Sequence, residues 1–142
     1  MMSIAEHAPP YIRAISPYQP GKPITQLARE MGLPIDKIVK LASNENPLGM
    51  SPRARAAMQA AMEGIERYPD QFDLTAALSE RLGIGMEQIV LGNGSNDVLD
   101  LAARVFLAPG RSSVFSKHAF AVYPLATMSA GGECIVVPAK HY

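Results

Sequence analysis

Six consecutive residues, Gly92-Asn93-Gly94-Ser95-Asn96-Asp97, carry the strongest chemical signal in the chain. They stand between a short apolar run, Ile89 to Leu91, and a helical pattern that begins Val98-Leu99-Asp100-Leu101 and continues to about Leu107. A strand that turns sharply into a buried helix leaves the first N–H groups of that helix without acceptors. The helix dipole adds partial positive charge at the same place. Such a turn suits phosphate. The glycines let the backbone turn tightly and approach a ligand, and Ser95 is placed to cap the helix and offer its hydroxyl. Helix capping by Asn96 and Asp97, as in any α/β protein, would call for the same residues.

A dinucleotide-binding turn would need a third glycine three residues after Gly94 and an acid about 20 residues further on. Asp97 holds the first of these positions and Lys117 stands where the acid is wanted, which argues against that reading. Cys134 is the one cysteine, so neither an internal disulfide nor a cysteine-rich metal site is expected. Its place in an apolar run predicts a small core residue.

Thirteen basic residues balance thirteen acidic ones with no long run of either sign, which removes the electrostatic footprint of a nucleic-acid or membrane-surface binder. No apolar stretch approaches the roughly 20 residues of a membrane span. The opening Met1-Met2-Ser3-Ile4-Ala5-Glu6-His7 lacks a basic segment followed by an apolar one, so no signal peptide is read and a cytoplasmic protein is expected.

The elements that must position the turn follow from punctuation and periodicity. Five prolines between Pro9 and Pro23 predict an extended arm over residues 1 to about 23. A short helix follows over Ile24 to Met31, ended by Gly32 and Pro34, and then a short strand over Ile38 to Leu41. Ser51-Pro52 begins a helix that runs to about Glu63, with Ala54, Ala57, Met58 and Ala61 on one face. A second amphipathic helix spans roughly Leu74 to Leu82, with Leu74, Ala77, Leu78 and Leu82 inward and Gly83 after its end.

Beyond the glycine turn, helix Asn96–Leu107, strand Ser113–Phe115, helix Tyr123–Ala130 and strand Glu133–Val137 alternate. This is the pattern of an α/β layer with a mostly parallel sheet. About three strands after residue 85 would leave that sheet an open edge, so the 142 residues read as the opening part of a larger domain. The expected division is an arm and a further segment over residues 1–50, then the first part of a larger α/β domain over 51–142, which carries the glycine turn.

Four segments now stand in order: Leu41-Ala42-Ser43-Asn44-Glu45-Asn46-Pro47-Leu48-Gly49, Arg67-Tyr68-Pro69-Asp70, the glycine turn, and His118-Ala119-Phe120-Ala121-Val122-Tyr123-Pro124. Together they closely resemble the histidinol-phosphate aminotransferases, fold-type I enzymes dependent on pyridoxal 5'-phosphate (PLP). The resemblance covers essentially the whole chain but well under half of a typical family member.

The resemblance implies PLP as the phosphate ligand, held by Ser95, Asn96 and Asp97. Most relatives carry an acidic pair where this chain has Asn96-Asp97, and one negative charge fewer beside a phosphate should not weaken binding. Phe120 matches the aromatic that stacks on the pyridine ring, although core packing would also call for it. Tyr68 matches the tyrosine that relatives donate to the PLP phosphate of the neighbouring subunit, which implies a homodimer. Tyr18 matches an arm tyrosine that reaches the neighbour's substrate pocket, and Asn44, Glu45 and Asn46 line the same pocket in relatives. A plain polar turn would also explain these three.

Phe115-Ser116-Lys117 looks like the Ser-Lys pair that carries the family's Schiff base. Lys117 follows Ser95 by only 22 residues, however, whereas the pair in relatives lies much further along the chain. Lys117 is therefore not expected to be that lysine. The Schiff-base lysine, the acid facing the pyridine nitrogen and the substrate-binding arginines all fall beyond Tyr142 in relatives, so no catalytic residue is expected among these. The implied reaction of the complete protein moves an amino group between L-histidinol phosphate and 2-oxoglutarate. Two alternatives remain: another amino donor, such as an aromatic amino acid, or an inactive fragment of the family.

Overall fold

The computed structural model describes residues 3–140. The first two residues of the expected arm, and Tyr142, lie outside them. In chain order the elements are helix α1 (Pro10–Arg13), α2 (Ile24–Met31), α3 (Pro52–Ala61), α4 (Phe72–Leu82), α5 (Ser95–Phe106), strand β1 (Ser112–Ser116), α6 (Val122–Ser129) and β2 (Glu133–Val137). They form two compact units. One combines the residues through Tyr18 with those from Phe72 onward, and the other is Gln19–Gln71. The boundary expected near residue 50 falls inside the second of these.

In the larger unit, β1 and β2 pair in parallel, with Ser112 opposite Glu133 and Ser116 opposite Val137. Parallel neighbours need a crossover, and α6 supplies it. The core is small. Ala103 of α5 meets Val122 and Ala126 of α6, with Leu99, Leu107 and Ala130 packed around them. Gly131, at φ 76°, ends α6 in the left-handed conformation that glycine adopts freely, and the chain then enters β2. In the second unit Gly32, at φ 63° and ψ 29°, ends α2 in the same way. The Ser51 hydroxyl caps α3 by accepting the Ala54 N–H at 3.2 Å, with Pro52 at the first helical position.

The structure corrects several sequence expectations. The arm is not wholly extended: a 3-10 turn forms at Ile4–His7 and α1 at Pro10–Arg13. Proline at the start of a helical turn forfeits no hydrogen bond, so Pro10 permits α1 where an interior proline would forbid it. Neither Ile38–Leu41 nor Ile89–Leu91 is a strand. Both begin with extended backbone, Ile38 at φ −105° and ψ 122° and Ile89 at φ −110° and ψ 122°, but no strand pairs with either among the described residues.

The apolar faces are also more open than their periodicity implies. Ala54, Ala57, Met58 and Ala61 are all exposed, and so are Leu74, Ala77 and Leu82; Leu78 is half-buried. Only Ala103 is buried in α5, and Cys134 is half-buried rather than fully enclosed. Periodicity identifies the face that seeks a partner, while burial requires the partner to be there. No helix among the described residues is long and apolar enough to cross a membrane.

Candidate functional site

The glycine turn ends in a conformation that glycine alone holds comfortably. Gly94 sits at φ 89° and ψ 171° and is itself the residue that caps α5. Ser95 is therefore the first helical residue rather than the cap, and no side chain caps the helix. This corrects the capping role expected of the Ser95 hydroxyl. It also leaves the N–H groups of Ser95, Asn96 and Asp97, the first three of α5, outside the intrahelical ladder at the positive end of a twelve-residue helix.

Two hydrogen bonds tighten the turn. The Gly94 N–H donates to the Gly92 carbonyl at 2.8 Å, and the Asn93 N–H donates to the Asp97 carboxylate at 3.0 Å. Gly92 cannot carry a side chain without displacement, because a Cβ there would stand 2.9 Å from both Asp97 Oδ2 and Val98 Cγ2. A Cβ at Gly94 would meet nothing within 4 Å, so the space before the helix end is open. Close backbone, open space and N–H donors in a row suit a phosphate group.

Beside the turn, Asn93, Asn96, Asp97 and Asp100 line one wall of a cleft of about 450 Å³, with Val122 and Ala126 of α6 opposite. Two carboxylates make that wall a poor lining for an anion. The capacity for phosphate therefore lies in the N–H groups of the turn. Because the Asp97 carboxylate already accepts from Asn93, that residue's contribution to an anion would come from its backbone.

Phe120 stands in the turn between β1 and α6 and is 47% exposed. The Ala119 N–H donates to the Ser116 carbonyl at 3.0 Å and the Tyr123 N–H to the Phe120 carbonyl at 3.0 Å, so the turn is hydrogen-bonded on both sides of the ring. Tyr123 packs rather than projecting freely: its ring lies on Phe115, with centroids 6.1 Å apart and planes 20° from parallel. Lys117, exposed, follows β1 and donates its N–H to the Val137 carbonyl at 2.9 Å.

Ser95, Asn96, Asp97 and Phe120 thus share the larger unit, which also includes the exposed Tyr18. Asn44, Asn46 and Tyr68 belong to the other unit. Asn46 is occupied locally: its Nδ2 donates to the Gly49 carbonyl at 2.8 Å and its Oδ1 accepts the Leu48 N–H at 3.1 Å. Glu45 pairs with Lys40 at 2.9 Å. Asn44 takes φ 49°, directly after Ser43 at φ 72°. Two successive residues other than glycine with positive φ are uncommon, although asparagine tolerates the conformation better than most. Tyr68 is fully exposed, at 101% of its reference area.

Sequence reasoning missed Gly21 and the buried hydroxyl of Thr127. A Cβ on Gly21 would stand 2.9 Å from Ser43 Oγ, at the start of that left-handed pair. Nothing in the sequence near residue 21 signals this beyond the glycine itself. Thr127 is 2% exposed and bonds to Ser113, fourteen residues away, a pairing no local pattern records.

Comparison with known proteins places these features in context. A family model described as aminotransferase class I and II matches residues 36–142. The chain is 74% identical over 141 residues to histidinol-phosphate aminotransferase 1 of Dechloromonas aromatica, covering 99% of this chain and 39% of that protein. It is 65% identical over 143 residues to histidinol-phosphate aminotransferase 2 of Nitrosospira multiformis, covering 99% of this chain and 36% of that one. The chain thus spans under two fifths of the length of these curated relatives. The crystal structure of histidinol-phosphate aminotransferase from Sinorhizobium meliloti, in complex with pyridoxal-5'-phosphate, superposes with a TM-score of 0.74 at 24% identity. That match covers 94% of this chain and 35% of the other. It shows that the two share a fold over the part this chain spans.

Proposed function

The chain belongs to the class I and II aminotransferases, and we propose that it contributes the phosphate-binding part of the cofactor site to a PLP-dependent enzyme. The reaction we propose for the complete protein transfers an amino group between L-histidinol phosphate and 2-oxoglutarate. The observation that carries this reading is the glycine turn: a glycine-only cap, an uncapped helix end and open space before it. It occurs in a chain 74% identical to a histidinol-phosphate aminotransferase.

The residues present fit PLP. The N–H groups of Ser95, Asn96 and Asp97 would hold its phosphate, with the α5 dipole behind them. The Phe120 ring would cover the pyridine face, fix its plane and exclude water from one side. Tyr68, fully exposed in its own unit, is suited to donating its phenol to the phosphate of a neighbouring subunit, and a homodimer is part of the proposal. Tyr18, Asn44 and Asn46 would border the substrate. When bound, PLP supplies an electron sink for charge developing on the amino acid. The chain's own residues anchor and orient it, and we assign none of them a proton transfer.

The test uses protein expressed from the complete reading frame that contains this chain. It should be yellow, with a visible band that borohydride abolishes, and the reduced cofactor should map by mass spectrometry to a lysine other than Lys117. Turnover with L-histidinol phosphate and 2-oxoglutarate should exceed turnover with aromatic amino acids. A colourless protein after PLP addition would overturn the cofactor assignment, and a preference for aromatic donors would overturn the substrate.

A further inference from the structure

Thr127 is the one buried polar residue among those described, at 2% exposure, and its hydroxyl joins two elements. Thr127 Oγ1 donates to the Tyr123 carbonyl at 2.7 Å and lies 2.6 Å from Ser113 Oγ. A threonine hydroxyl has a single proton. With that proton committed to Tyr123, the Ser113 hydroxyl must be the donor in the second bond. The order is therefore fixed: Ser113 of β1 donates to Thr127 of α6, and Thr127 donates to Tyr123 one turn earlier.

The relay ends beside Phe120. Tyr123, whose carbonyl receives the Thr127 proton, sends its own N–H to the Phe120 carbonyl at 3.0 Å, while its ring rests on Phe115 of β1. The far end of α6 is held too. The Gly132 N–H donates to the Thr127 carbonyl at 2.9 Å, and a Cβ at 132 would come within 3.3 Å of Thr127 Cγ2. Apolar packing between α6 and β1 would tolerate rotation of the helix about its axis. A directional, part-buried hydrogen bond between them does not.

We propose that Ser113 and Thr127 are positioning residues, and that their hydrogen bond sets the rotation of α6 and thereby the place of the Phe120 ring. This rests on reading Phe120 as the residue that covers the PLP ring. Neither hydroxyl need touch cofactor or substrate. They act through Tyr123 on the Phe120 turn.

The test compares Ser113→Ala, Thr127→Val, the double variant and Thr127→Ser, each in protein from the complete reading frame. Amide hydrogen exchange of the cofactor-free protein should quicken at Ala119 and Tyr123, by several-fold to about tenfold for loss of the Ser113–Thr127 hydrogen bond. The N–H groups of Leu107 and Gly83, which donate within the ends of α5 and α4, should keep their rates. Thr127→Ser should behave as wild type, and the double variant should be no worse than Thr127→Val, because Thr127→Val already removes the bond lost in Ser113→Ala together with the one to the Tyr123 carbonyl. In the same variants PLP, titrated by its visible absorbance, should bind several-fold more weakly. Unchanged exchange at Ala119 and Tyr123, or a uniform rise at the control amides as well, would overturn the positioning role whatever PLP does. A wild-type protein that fails to bind PLP would instead overturn the cofactor reading. Exchange that quickens locally while PLP affinity stays at the wild-type value would overturn the link to the ring.

Discussion

The Asp97 carboxylate accepts the Asn93 backbone N–H at 3.0 Å, so the acid at the start of α5 closes the turn in front of it. Asp97→Ala should release that N–H to solvent and loosen the turn, lowering stability by about 0.5–1.5 kcal/mol. Asp97→Asn keeps an acceptor oxygen at the same place and should lose less than half as much. Thermal denaturation of both variants checks this. A cofactor titration should show that Asn at 97 does not weaken PLP binding, since the anion would use the backbone N–H. Equal melting of both variants and wild type would show that the bond contributes nothing.

Gly94 at φ 89° and ψ 171° lies where side chains are strained, at a cost of about 1–3 kcal/mol. Gly94→Ala should therefore destabilise the protein and distort the three N–H donors, lowering PLP affinity more than tenfold. Gly92→Ala should also destabilise, through contact with Asp97 and Val98 rather than through φ. Gly64 has open space around it and no positive φ. There alanine should be neutral or stabilising by about 0.4–1 kcal/mol, through a less flexible unfolded chain. Parallel urea titrations of the three variants distinguish these cases.

What could be read from sequence was local. The ends of α2 and β2 coincide with the expected ones because Pro23, Gly32 and Gly132 punctuate them. Helices α3 through α6 fall within a few residues of expectation for similar reasons. The two missing strands show the limit: Ile38 and Ile89 have extended backbone, but a strand is a property of a pair, and pairing is not written in one segment. The glycine turn was legible because its glycines perform local work. The cap assignment shifted from Ser95 to Gly94 because only the backbone angles reveal which residue makes the break. Asn46 was legible as a turn residue but not as one whose side-chain amide bonds both Leu48 and Gly49. Thr127 was invisible, since its partner lies in another element.

Burial pushes the Cys134 thiol above its ordinary value of 9.0. A raised folded value means that the unfolded chain ionises first as pH rises. The stability tied to the neutral thiol is therefore complete below about 9 and is lost as pH climbs through the folded value. Cys134→Ala should flatten this alkaline decline, so the stability difference between variant and wild type should move in the variant's favour between pH 7 and 10. Urea unfolding across that range measures it. At pH 8 iodoacetamide should label the folded thiol more slowly than the unfolded one, and equal rates would contradict the shift.

Tyr68 is fully exposed in its own unit, and its phenol is proposed to serve the cofactor phosphate of a neighbouring subunit. Tyr68→Phe in the complete protein should weaken PLP binding by about tenfold, the loss of one hydrogen bond to a charged group. A mixing experiment separates action across the dimer from action within one chain. When Tyr68→Phe protein is combined with Gly94→Ala protein, a mixed dimer holds one site with both an intact turn and an intact tyrosine, provided Tyr68 crosses the interface. Tight PLP binding should then return at one site per mixed dimer. If Tyr68 serves its own chain, every site in the mixture carries one defect and no tight binding appears. Recovery after mixing, read by PLP absorbance against each variant alone, decides between the two arrangements.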